Sequence, residues 1–185
     1  MILSFLNKFY KPALHLSEAF STTREKDWGP LIILNELGVQ IGQIYNIIYR
    51  NDVVSEQGRV FNNLGDELSD VLLQLMALAN SMNINFFEIK DFQEVSEFNW
   101  MSLPIIFGQL NESIMEKYGY RFLKPRKGFD SIDSFIQHCI FLLFTISFQI
   151  ASFHGLNMET EFQNMILDAN GFLNRFQKEK ELLHN

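Results

Sequence analysis

From Leu31 to Arg50 the apolar residues Leu34, Leu37, Ile41, Ile44 and Ile48 recur at steps of three and four, and Leu64, Leu68, Val71, Leu75 and Leu78 do the same from Leu64 to Met82. That period lays each set along one stripe of an α-helix, and a chain that carries two such stripes must bury them against other helices. Neither stretch contains a proline, and the whole chain has only 4 Pro and 10 Gly in 185 residues, which leaves few breaks between long elements. The fold class expected is therefore all-α.

The rest of the chain is read in the same terms. A short helix is expected at 12–22, a polar link from Ser21 to Asp27, and a corner at Trp28-Gly29-Pro30. The segment 51–63 reads as a loop, Asn85 as the cap of a short helix through Glu88, and 91–101 as a connector. Further helices are expected at Leu103–Tyr118, with Pro104 tolerated in the first turn, at Ile132–Phe153, and from Met158 to about Lys180. The endings Asn80-Ser-Met-Asn-Ile-Asn and Ser152-Phe-His-Gly-Leu-Asn echo each other. Each follows a helix, a loop and another helix, so residues 31–90 and 103–160 are expected to form two related helical hairpins. The architecture predicted is one domain over 1–185, a four-helix-bundle core from two hairpins with short flanking helices.

Composition narrows the function. A net charge of −7 supplies no basic surplus to displace counterions from phosphate, so general nucleic-acid binding is not expected. The single Cys139 sits in an apolar run and fits a reducing, cytoplasmic setting as a buried, inert thiol. The start of the chain lacks a basic region and is a poor signal peptide. The most apolar stretch, Phe135 to Phe153, is interrupted by Gln137, His138, Thr145, Ser147 and Gln149, which argues for a buried bundle helix and against a membrane span.

Within this frame Glu67 and Asp70 stand at i and i+3, on one face of the second long helix. Glu36, Gln40 and Gln43 form a polar stripe on the preceding helix. A loop of about a dozen residues makes the two helices antiparallel neighbours, so the stripes can face each other and bring three carboxylates together. Like charges at close range repel unless neutralised, and a hard divalent cation is the usual remedy. Read from spacing alone, the alternative is that all three are solvated surface acids, as most helical carboxylates are.

The surrounding residues carry a resemblance. Trp28, then Leu34-Asn-Glu-Leu-Gly-Val-Gln-Ile41, Gly65-Asp-Glu-Leu-Ser-Asp-Val-Leu-Leu-Gln-Leu75 and Ala77-Leu-Ala-Asn-Ser-Met-Asn-Ile84 resemble the MazG-like nucleoside triphosphate pyrophosphohydrolases and the related all-α dUTPases, whose pattern is Glu-Glu-x-x-Glu on one helix and Glu-x-x-Asp on the next. The resemblance spans about residues 28–90, a third of the chain. It implies a helical bundle, Mg²⁺ or Mn²⁺ held by Glu36, Glu67 and Asp70, and cleavage of a nucleoside triphosphate to monophosphate and pyrophosphate. It also leaves a homodimer open as the assembled form.

The chain departs from that pattern at two places. Asn35 stands where the first Glu of the first motif is expected, and Val39 where the third is expected. Gln40 is one residue further on, about 100° round the helix, and Gln43 a turn beyond. The second hairpin has Cys139 and Leu142 at the places of Glu67 and Asp70, and Glu112 at the place of Val39. Two further segments are candidates for substrate contact. Tyr120–Gly128 packs four cations (Arg121, Lys124, Arg126, Lys127) into seven residues, suited to clamping phosphate or to an acidic partner, or serving only as a solubilising loop. Asn174-Arg175 resembles the Asn- and Arg-bearing end segment of these families. A catalytically silent helical protein that binds a nucleotide or another protein is the alternative to an enzyme.

Overall fold

The computed structural model describes residues 1–23, 28–50, 63–86 and 101–183. Among them the regular structure is helical throughout, in the order α1 (Ile2–Thr22), α2 (Pro30–Arg50), α3 (Leu64–Ser81), α4 (Ser102–Lys117), α5 (Ile132–Phe153) and α6 (Met158–Leu183). The loop expected at 51–63, the short helix expected after Asn85 and the connector expected at 91–101 fall almost wholly outside the described residues.

Four of these helices close a ring. α2 packs on α3, α3 on α5, α5 on α4 and α4 on α2, while α1 and α6 lie against α3 from outside. α3 is thus surrounded, and its residues Leu68, Val71, Leu72, Leu75, Met76 and Leu78 are all fully buried. α5 is the other core helix. It is long and apolar enough to cross a membrane, as is α2, but most of it is buried within the bundle.

The flanking helices are not short. α1 begins ten residues before the helix expected at 12–22 and runs through Pro12. Phe5, Leu6, Phe9, Ala13 and Leu16 form one buried stripe along it, and that burial outweighs the single backbone bond the proline removes. Phe5 meets the rings of Phe144, Phe148 and Phe162 with centroids 6.1, 5.1 and 5.1 Å away, which ties α1 to both α5 and α6. α6, with 26 residues, is the longest helix described.

The two echoing segments stop their helices in the same way. Asn83 (φ 57°) and Gly155 (φ 69°) occupy the same place in the echo and both adopt the left-handed conformation. The next residue then reaches back five positions, Ile84 N to Ala79 O and Leu156 N to Ala151 O, each over 2.8 Å. α4 ends similarly at Gly119, with Tyr120 N to Met115 O over 2.9 Å. The stop is therefore a device this chain uses repeatedly rather than a mark peculiar to the two hairpins.

Candidate metal centre

The acidic end of α3 is fixed by its cap. Asn63 Oδ1 accepts from Gly65 N (3.1 Å) and Asp66 N (3.3 Å), and Asp66 and Glu67 fill the first turn, where carboxylates are favoured by the helix dipole. α2 runs antiparallel to α3, since Trp28 and Ile33 at its start line the same cavity as Ala77, Asn80 and Ser81 at the end of α3. α6 begins beside the start of α3, because a Cβ built on Gly65 would collide with the Glu161 carboxylate.

These placements gather acids from three helices around the first turns of α3. Glu67 is pushed up to about 8, first by burial and then by repulsion from Asp70 and Asp66. Asp70 is pushed up to about 7, again by burial first, then by Asp66 and by Glu36 from α2. Asp66 is also raised, by burial and by Asp168 of α6. None of the causes that act on these three acids is a cation of the chain. Glu67 is the most enclosed, with 7% of its surface exposed, and its Oε2 has no hydrogen-bond partner.

Among the described residues no three His, Cys, Asp or Glu side chains are already gathered at metal-ligating spacing. The electrostatic couplings nevertheless link Glu36 to Asp70 and Asp70 to Glu67 across the α2–α3 pair. An enclosed carboxylate oxygen without a donor, among acids that raise one another's pKa, fits a hard divalent cation better than it fits an empty core. Asn35 and Val39, which stand where the family pattern has acids, are both exposed, Val39 by 50%.

The cationic candidates lie elsewhere. The Tyr120–Gly128 loop joins α4 to the start of α5, whereas the acidic end of α3 adjoins α6, which follows the end of α5. A helix of 22 residues is about 33 Å long, so most of the bundle separates loop from acids. Moreover three of the loop's four cations are paired with acids of α4. Arg121 and Lys124 both donate to Glu112 Oε1, over 3.1 and 2.8 Å, and Arg126 Nη1 donates to Glu116 Oε2 over 2.7 Å. Those contacts hold both glutamates below the ordinary carboxylate range. Lys127 belongs to the same loop, and Asn174 and Arg175 stand about four turns along α6 from Glu161. Cys139 is buried and its thiol is pushed up to about 12, so it is inert as expected.

Sequence reading did not find Asp66, Glu161 or Asp168. Asp66 was one residue from the motif, but the two α6 acids are roughly a hundred residues away and nothing local marks them. No protein-family model, no curated protein and no solved structure matches the chain.

Proposed function

We propose that the chain is a divalent-cation-dependent nucleoside triphosphate pyrophosphohydrolase, with Mg²⁺ or Mn²⁺ held by Glu36, Glu67 and Asp70. The observation that carries the cation half of this reading is Glu67, buried and with Oε2 unpartnered beside Asp70 and Asp66. The nucleotide half rests on the resemblance of residues 28–90 to the MazG-like enzymes.

In the reaction, a water oxygen bonds to the phosphorus beside the α–β bridge, the bridging P–O bond breaks, and pyrophosphate leaves. A bound divalent ion supplies Lewis-acid neutralisation of charge developing on the phosphate oxygens. Glu36, Glu67 and Asp70 would hold the ion. The reading assigns no phosphate contact to Lys124, Arg126, Lys127, Asn174 or Arg175, given where they lie.

A second reading, a silent helical protein that binds nucleotide or a protein partner, is favoured by one observation. The side chains that replace the family's acids, Asn35 and Val39, face solvent and offer no charge. Pyrophosphate release from a panel of canonical and modified nucleoside triphosphates, with Mg²⁺ or Mn²⁺, separates the two. Release that disappears in Asp70→Asn supports the enzyme, and no release from any member of the panel supports the silent protein.

A further inference from the structure

Where the chain leaves α4, residues 118–123 set four large side chains in solvent. Tyr118 and Tyr120 are exposed, Leu123 is 67% exposed and Phe122 94%, the most of any large apolar side chain among the described residues. Contiguous apolar surface left in water is unfavourable for the isolated molecule and signals a surface that lands on something else.

These side chains do not sit on a slack segment. Gly119 turns the chain out of α4 in the left-handed conformation (φ 79°). Beyond the tip, Lys124 N and Arg126 Nη1 both donate to Glu116 Oε2, over 3.2 and 2.7 Å, and Arg126 also donates to Lys124 O over 3.1 Å. The Arg126–Glu116 pair is enclosed, and the guanidinium lies over the Phe135 ring. The loop is thus tied to α4 on both sides of Phe122-Leu123, and a loop already ordered loses less freedom when its tip is bound.

The charge around the tip selects the partner. Residues 117–128 hold five of the chain's 15 cations and none of its 22 acids. Arg121 and Lys124 stand directly on either side of Phe122-Leu123. They share a single acid, Glu112, and both side chains stay more than half exposed. Such surface pairs are weak, so either cation can turn to another anion while the enclosed Arg126–Glu116 pair keeps the loop in place. The acids around the first turns of α3 lie most of the bundle's length away, so an anionic surface draws the molecule in loop first. Apolar side chains on a projecting tip, cations beside them and tyrosines behind them match the successive layers of a lipid interface.

We infer that the 118–127 loop attaches the protein to the surface of an anionic bilayer. Phe122 and Leu123 enter the acyl boundary, and Arg121, Lys124 and Lys127 meet lipid phosphates. One loop of this size gives reversible attachment, and nothing in the inference depends on the proposed hydrolysis.

The test is sedimentation of the full chain with vesicles of phosphatidylcholine, alone or mixed with phosphatidylserine. Wild type is expected to bind the mixed vesicles, less as salt rises, and to stay in solution with phosphatidylcholine alone. Phe122→Ser with Leu123→Ser should bind on the order of tenfold more weakly at an unchanged melting temperature, since both side chains are exposed. Phe122→Trp should fluoresce at shorter wavelength when mixed vesicles are added, beyond any shift seen in wild type. Equal binding by the serine variant would put the attachment elsewhere and overturn the inference. Wild type that binds neither vesicle overturns it too, and leaves the exposed tip to a protein partner.

Discussion

Gly65 of α3 and Glu161 of α6 fit so closely that the glutamate carboxylate occupies the space a Cβ at position 65 would need. Glycine within a helix costs about 1 kcal/mol relative to alanine, so the residue is kept here for room. Gly65→Ala should raise the melting temperature by less than the ordinary helix propensity in the wild-type background, because the Glu161 side chain must swing away from α3. In a Glu161→Ala background the same substitution should raise it by the ordinary helix propensity. Thermal melts of the four proteins measure the coupling, and additive effects would mean that the two residues do not touch.

The Tyr120–Gly128 loop is held down by Arg126, whose guanidinium lies 4.6 Å from the centroid of the Phe135 ring and donates to the enclosed carboxylate of Glu116. Arg126→Ala leaves Glu116 with only the Lys124 backbone N–H for a partner and should cost about 2–4 kcal/mol near neutral pH. The Glu116 carboxyl is held low by that hydrogen bond, so the pair stabilises the fold above the usual Glu range and stops doing so as pH falls through it. Denaturant titrations of wild type and variant should converge in acid, and a gap that stays constant with pH would place the effect in packing alone.

Glu67 and Asp70 work in the opposite sense. The folded state holds their protons more tightly than the unfolded chain, so raising the pH from about 4 to about 8 disfavours the fold. Asp70→Asn should therefore be more stable than wild type at the alkaline end of that window, with the advantage fading at the acid end. Divalent cation should restore the wild type and leave the variant unmoved. A stability difference that does not change with pH would contradict the electrostatic account.

Much of the architecture was legible because it depends on local period. The ends of α2, α3 and α5 fall within a residue or so of where Leu34, Leu68 and their repeats place them. The first half of α1 lies outside the helix expected at 12–22, although Phe5, Phe9 and Leu16 carry the stripe that holds the helix together. Of the candidate site, spacing placed Glu67 and Asp70 on one face of α3, and the resemblance added Glu36. What spacing does not reveal is where a charge is spent. The cations of the 121–127 loop were visible, but not that Glu112 and Glu116, one turn apart on α4, take three of them. Nor does local pattern show that α6 adds Asp168 beside Asp66.

Val39 provides an independent check on the register of α2. It is exposed, so Val39→Glu buries no charge and should change apo stability by no more than about 0.5 kcal/mol. One turn from Glu36, the new carboxylate lies at the rim of the site and should tighten Mg²⁺ binding, with the gain shrinking at high salt. Isothermal titration reads the change directly. An affinity identical to wild type would mean that position 39 is too far round the helix to reach the ion.

The most direct test of the cation site is the number of protons that Mg²⁺ drives off. At about pH 6.5 both Glu67 and Asp70 are mostly protonated in the apo protein, whereas a carboxylate must be ionised to hold a metal. Calorimetric titrations in two buffers of different protonation enthalpy should give between about one and two protons released per ion bound, with release and binding both collapsing in Asp70→Asn. Binding without proton release, or no binding at all, would contradict the assignment of these carboxylates to a metal.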